Sequence, residues 1–177
     1  MKKIALNFMR LLSLTVILAL IVPLMANAQG KANFAGSWAI NAAKSTQPPA
    51  GGQGGGQGGG GGMRMGGGDF TATQEANLLA VSRTRTGQDG TPTTTITKYT
   101  LDGKEAVNTT PRGESKSVAT WSADGKTLTI ITKTTSQNGE RTSTEAWTLT
   151  DAKTLSVTST RTGQNGEVKT TSVYDKK

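Results

Sequence analysis

The sequence predicts an all-β fold: an antiparallel up-and-down meander that closes into a barrel or a strongly curled sheet. Three observations lead there. From Asp69 to the C-terminus no window repeats apolar residues at helical spacing, while short stretches alternate apolar and polar side chains. Threonine, β-branched and suited to an exposed strand face, is abundant over the same region. Turn residues punctuate it at short intervals: Gln88-Asp89-Gly90, Asp102-Gly103, Asp124-Gly125, Asn138-Gly139, Asp151-Ala152 and Asn165-Gly166. Asp-Gly and Asn-Gly supply the positive φ that tight hairpins need.

The chain starts with an address. Lys2, Lys3 and Arg10 precede an apolar run from Leu11 to Met25 that closes on Ala26-Asn27-Ala28. A basic start, a short apolar stretch and small residues at the peptidase positions predict a secretory signal helix, residues 1–28, cleaved after Ala28. The run is short for a membrane span, and Pro23 lies within it. The expected location is therefore periplasmic or secreted, with no stable membrane anchor after cleavage. Removing three of the 20 basic groups leaves 17 against 12 acidic ones, a net +5 on 149 residues. That balance is ordinary for a soluble domain and mildly attractive to anionic surfaces.

Residues 29–45 carry the first strand of the β domain, over 33–41. Phe34, Gly36, Trp38 and Ile40 share one parity, hence one face. Residues 46–68 then change character: Pro48-Pro49 leads into a tract with 13 of the chain's 23 glycines. Such a composition buries too little apolar surface to offset chain entropy, so a disordered linker or loop is expected. Arg64 is a single arginine, too few for an arginine-glycine tail, and no nucleic-acid partner is expected. The tract also lacks the GxxxxGK[ST] ending of a phosphate loop.

Residues 69–177 hold the rest of the domain. Strands are expected at 70–75, 78–86, 92–100, 115–122, 126–135, 140–149, 154–162 and 168–175, nine with the first. Val107 to Gly113 reads as a loop around Pro111. Val81–Gly90, Ile130–Gly139 and Val157–Gly166 echo one another (VSRTRTGQDG, IITKTTSQNG, VTSTRTGQNG), which predicts three related hairpins. Their irregular spacing excludes a solenoid. Expected core residues are Phe34, Trp38, Ile40, Phe70, Leu79, Val81, Ile96, Tyr99, Val118, Trp121, Leu128, Ile130, Trp147, Leu149, Leu155, Val157, Val173 and Tyr174. That set is thin for nine strands. Either one end of the barrel is packed and the other open, or serine and threonine line the interior. Arg83, Arg85 and Arg161 continue the parity of Val81 and Val157: if pairing holds they stand at the mouth, inside the barrel, as a basic rim for an anionic head group, and if twist or a bulge turns the hairpin tips they face solvent instead.

Composition removes several chemistries. With no His and no Cys, there is no Ser-His-Asp triad, no thiol catalysis, no His- or Cys-ligated metal and no disulfide. No acidic cluster has calcium-loop spacing, and no cofactor is expected. Most carboxylates sit at turns. Glu145 shares parity with Trp147 and Leu149 and faces inward, but no second carboxylate accompanies it, so a glycosidase pair is missing. The chain is not expected to be an enzyme.

Asn33-Phe34-Ala35-Gly36-Ser37-Trp38-Ala39-Ile40-Asn41, followed by Ala43-Lys44-Ser45, resembles the opening of small exported bacterial lipocalin-like (calycin-type) proteins. LDGKE (101–105), ATWSADGKTLTI (119–130), TEAWTLTDAKTLSVTSTR (144–161) and SVYDKK (172–177) are similar to hairpins of that group. The resemblance implies a lipocalin-like barrel in which Gly36 and Trp38 form the barrel-closing G-x-W. It also implies a late-strand basic partner for that Trp, here Arg161, Lys169 or Lys176. The glycine tract departs from the group, standing where a long first loop would cover the mouth. The expected function is an exported, non-catalytic binding module for a small amphiphilic or envelope-derived ligand. Trp121, Trp147 and Tyr99 are the candidate pocket aromatics, with plain core packing as the alternative for each, and Arg83 and Arg161 the candidate basic rim. The alternative is a structural or interaction protein of the envelope with no small-molecule pocket.

Overall fold

The computed structural model describes residues 30–46, 68–87, 89–110, 113–136, 139–163 and 166–177. The expected signal peptide and residues 47–67 of the glycine tract lie outside them. Residues 31–177 form one unit of ten strands: β1 (Gly36–Asn41), β2 (Phe70–Gln74), β3 (Leu78–Thr86), β4 (Pro92–Thr100), β5 (Glu105–Thr110), β6 (Gly113–Trp121), β7 (Thr127–Ser136), β8 (Gly139–Asp151), β9 (Thr154–Gly163) and β10 (Gly166–Lys176). They make one antiparallel sheet in the order β4-β3-β2-β1-β10-β9-β8-β7-β6-β5. The chain is an up-and-down meander curled until β4 and β5 meet, a nearly closed barrel. The three echoing segments are the hairpins β3–β4, β7–β8 and β9–β10.

Residues 105–110 correct the loop expected at 107–113. They form β5, paired with β6 from Glu105↔Val118 to Thr110↔Gly113. The pattern hides this strand because Ala106 is its buried side chain while Val107 faces solvent, so its alternation is inverted in hydrophobicity. Three expected core residues also belong elsewhere. Ile96 is 57 % exposed: Tyr99 faces in, and alternation then turns residue 96 out. Val118 and Val173 stand on the outer register, beside inward Ala119 and Tyr174, and are half-buried.

The packed core fills one end, termed the base. Phe34, Trp38, Leu79, Leu128, Trp147, Leu155 and Tyr174 are fully buried there, each contributing about 1.5–3 kcal/mol through burial of apolar surface. Residues 31–35 cross beneath as a plug. Ala32 N–H donates to Gly125 O at 2.9 Å. The Gln74 amide clasps the plug by donating to Ala32 O and accepting from Phe34 N–H, both at 2.9 Å.

Two places in the wall lack a backbone ladder. Between β4 and β5 the Asn108 side chain substitutes for one: its Oδ1 accepts from Lys98 N–H at 2.8 Å and its Nδ2 donates to Lys98 O at 2.9 Å. A carboxamide presents the same donor–acceptor pair as a peptide group. Asn108→Leu should therefore lower stability by about 0.5–1.5 kcal/mol and speed hydrogen exchange at the Lys98 amide. An unchanged Lys98 exchange rate would show that the seam does not depend on Asn108. The second place lies between β3 and β10. The strands β1 and β2 reach only Asn41↔Val173 and Thr71↔Ser82. Beyond β1 the chain continues along β10 through two hydroxyls and one backbone bond, Ser45 Oγ accepting from Val173 N–H at 2.9 Å, Thr46 Oγ1 from Thr171 N–H at 2.6 Å, and Thr171 O from Thr46 N–H at 2.8 Å. Among the described residues, β3 above Ser82 and β10 above Thr171 have no further neighbour on that side.

The turns at the base carry an acid-sensitive element. Asp102, Asp124 and Asp151 each accept the backbone N–H two residues on, from Lys104, Lys126 and Lys153 at 3.1, 3.1 and 2.7 Å. These bonds favour the ionised carboxyl and hold all three below the usual range, joined for Asp124 by a stronger bond from Ser122 and for Asp102 strong enough to reach about 2. A carboxyl depressed in the folded state stabilises above its unfolded value and loses that contribution as pH falls. The thermal midpoint should stay level down to about pH 4 and decline towards pH 2. A midpoint unchanged at pH 2.5, on the order of a unit below the unfolded carboxyl value, would contradict this.

Candidate functional site

Register assigns every strand residue to the inner or the outer wall, because paired residues share a face. The inner wall begins at the base with Trp38, Phe70, Leu79, Leu128, Trp147, Leu155 and Tyr174, all on matched pairs or their alternates. Val81, Ile130 and Val157 form the next layer. Above it the lining becomes polar. Ser117, Ser143 and Ser159 are buried, and Ser117 shares a hydrogen bond of 2.9 Å with Thr132. Thr97, Thr170 and Ser172 stand on the same inner register.

Four titratable groups mark the junction between the two halves. The Arg83 guanidinium lies 4.9 Å above the Phe70 ring, a cation–π contact that spares it full hydration. The Tyr174 hydroxyl hydrogen-bonds with Ser172 and Arg83. Glu145 Oε2 accepts the Trp147 indole N–H at 2.9 Å, which ties this carboxylate to the floor. Tyr99 is buried beside them. Burial, the largest influence, pushes both phenols up. The Glu145 charge adds to that shift and the Arg83 charge opposes it. These are the chain's only two tyrosines, which makes a clean test. Absorbance at 295 nm should show almost no tyrosinate in the native protein at pH 10.5, where a free phenol is mostly ionised, since its ordinary value is about 10. Stability from neutral phenols is complete below about pH 10 and is lost above it. A hyperbolic titration centred near pH 10 in the folded protein would place these rings in solvent.

The structure brings some expected site residues to the polar half and others to the floor. Tyr99 and Arg83 reach the junction. Arg161 stands on the inner register opposite Ser143 and Val168, exposed near the mouth. Arg85 continues above Arg83 and is exposed. Trp147 is fully buried in the floor, edge-on to Phe34 at 5.8 Å. Trp121 lies flat on Phe34, rings 5.7 Å apart and 4° from parallel, with the Lys31 ammonium 5.7 Å from its centroid. Its indole N–H is buried without a hydrogen-bond partner. Both tryptophans pack the base rather than line the open half.

The partner of Trp38 is Lys176, whose Nζ lies 5.4 Å from the ring centroid. Arg161 is at the other end of the barrel, and Lys169 faces outward opposite Thr160. Gly36 makes the crossing possible, because a Cβ there would stand 2.5 Å from Lys176 Cε.

Arg141 was not singled out by the sequence, although the alternation Trp147, Glu145, Ser143, Arg141 leads to it. It pairs with Thr134 on the inner register near the mouth. A groove of about 240 Å³ also exists beside β2, lined by Ser37, Asp69, Thr71, Ser82, Thr84 and Lys177 together with Trp38 and Phe70. There Lys177 pairs with Asp69 at 2.7 Å, so its charges satisfy each other. No grouping of acidic side chains among the described residues could hold a metal ion.

No family model and no curated protein matches this sequence. Among solved structures, a single-residue variant of the fluorescent protein UnaG is similar, at 18 % identity over 81 % of this chain and 96 % of that one, with a TM-score of 0.47.

Proposed function

We propose that this protein is an exported, non-catalytic binding module. Its barrel takes a small amphiphilic or envelope-derived ligand into the polar half. One observation carries the reading: the inner wall divides into a floor sealed by aromatic and aliphatic side chains and an upper half lined by hydroxyls and arginine. Ligand sites join apolar walls to a few precisely placed polar groups; here the packed floor supplies the first and the layer above it the second. The non-catalytic part is supported by Glu145, the one carboxylate on the inner register of the strands, which is held by the Trp147 indole. Export is supported by the signal-like residues 1–28.

Native mass spectrometry tests this on protein purified from the envelope of its own cells, with whatever processing they give it. The expected result is a bound small molecule lost on denaturation, whose return raises the thermal midpoint, since a ligand of the native state alone adds stability. An apo mass with no stabilisation by an envelope extract would overturn it. The structural reading would then lead, favoured by the strand edges above Ser82 and Thr171, which no described residue pairs.

A further inference from the structure

Arginine and lysine are sorted between the two faces of this barrel. The described arginines are Arg83, Arg85, Arg141 and Arg161, and each falls on the inner register of the upper half. The lysines of the same wall, Lys98, Lys116, Lys133 and Lys169, all fall on the outer register. Lys176 alone shares the inner register, and it closes the base over Trp38. Charge by itself gives no reason for this division. Side-chain chemistry does: guanidinium offers a planar fork that grips carboxylate or phosphate through two hydrogen bonds, whereas ammonium is a strongly hydrated point charge.

The ion pairs agree. All twelve carboxylate residues lie among the described residues, and the five ion pairs they form with other described residues all use lysine. The inner arginines are therefore not consumed by the protein's own acids. With Glu145 the single inner carboxylate, the upper inner wall carries an excess of three positive charges, four described arginines against one glutamate.

The lining also limits what the anion can be. Above Val81, Ile130 and Val157, Val168 is the one apolar inner side chain larger than alanine among the described residues. The layer beneath is closed: Leu79, Leu128, Leu155 and Trp147 expose nothing. An alkyl chain would find neither apolar wall nor free volume there, and would lie against the polar side chains of Ser117, Ser143 and Ser159. A hydroxylated ligand matches such a lining.

We infer that the polar half holds an anionic saccharide, a sugar bearing carboxylate or phosphate groups, with any apolar tail left outside the barrel. The inference rests on the binding-module reading and reverses the usual orientation expected of an amphiphile in a barrel. A free acidic oligosaccharide and the head group of a glycolipid share this chemistry.

Isothermal titration of the purified protein, with trigalacturonate, maltotriose and laurate as probes, tests it. Trigalacturonate should bind and raise the thermal midpoint, while maltotriose and laurate should do neither. Arg161→Lys, which keeps the charge and lies at an exposed position, should weaken trigalacturonate by about tenfold, some 1.4 kcal/mol, without moving the thermal midpoint. Lys169→Gln, on the outer wall one residue from Val168, should change affinity less than about twofold, the insensitivity expected of a screened surface charge. Displacement of trigalacturonate by lipid A would point to a glycolipid source, and its failure to a free saccharide. A loss in Lys169→Gln with none in Arg161→Lys would reduce the effect to net charge and overturn the inference. Laurate binding without trigalacturonate binding would overturn it while leaving a binding module in place. No response to any probe would overturn it, and the native mass spectrum would then decide separately whether a ligand exists at all.

Discussion

Trp38→Ala is expected to remove about 3–5 kcal/mol of stability, the range for deleting a fully buried large aromatic. A domain of this size holds only about 5–15 kcal/mol in all, so the variant should be partly unfolded in mild denaturant. Three attachments of the side chain make this position costly, beside the place of its backbone in the sheet. The side chain is fully buried. Its indole N–H donates to Phe34 O at 2.9 Å, which anchors the plug that crosses the base. Its ring also carries the Lys176 ammonium, and its backbone sits between Phe70 and Lys176 in the sheet. Trp38→Phe keeps part of the volume and loses the indole bond, and should fall between wild type and alanine. Urea unfolding followed by circular dichroism measures both. A loss below about 1 kcal/mol in Trp38→Ala, far under the usual cavity cost, would mean that the base does not depend on this ring.

The second large effect belongs to the glycine two residues earlier. Gly36 has φ +142°, a conformation that side chains with a Cβ rarely adopt. An added Cβ would also meet Lys176 Cε at 2.5 Å. These two obstacles differ in kind. Lys176 is a flexible chain that can swing away at the expense of its contact with Trp38, whereas the backbone cannot leave its φ without breaking the Gly36↔Ala72 pair. Gly36→Ala should therefore cost about 1–3 kcal/mol, mostly as backbone strain. The double variant Gly36→Ala with Lys176→Ala separates the causes, since steric relief would appear as coupling between the two changes. Most of the Gly36→Ala loss should persist when Lys176 is absent. Full recovery of stability in the double variant would assign the effect to the collision instead.

These two residues also show how far sequence reasoning reaches. Gly36 and Trp38 announce themselves through parity and spacing within one strand. The cation that meets them does not. Arg161, Lys169 and Lys176 are all basic residues near the C-terminus, and the register Trp38↔Lys176 joins positions far apart in the chain. Ile96 illustrates the converse difficulty. Its strand reads Thr93-Thr94-Thr95-Ile96-Thr97-Lys98-Tyr99, with apolar residues on both parities, and either face could have turned inward. Pairing of Leu79 with Tyr99 decides for Tyr99 and sends Ile96 outward. β5 stayed hidden for a related reason, since its inward residues are Ala106 and Asn108 while its larger apolar residue, Val107, faces water.

The candidate site was legible in part. Arg83, Arg85 and Arg161 follow from continuing the alternation of Val81 and Val157 past the apolar residues. Trp121 and Trp147 fit either a pocket wall or, as the simpler reading, a packed floor, because alternation gives a face but not a height along the barrel. Height comes from stacking against Phe34 and Phe70, which are distant in sequence.

What the sequence determines by itself is local: strand periodicity, turns at Asp-Gly and Asn-Gly, the hairpins they imply, and the absence of histidine and cysteine chemistry. Those properties depend on neighbours within a few residues, where backbone sterics and side-chain alternation act directly. Only the tertiary structure decides the closure of β1 on β10, the Asn108 seam, the choice of Lys176, and the sorting of arginine to the inside and lysine to the outside. Each of these requires a register between strands remote in the chain, and a shift of one residue in that register would exchange the inner face for the outer.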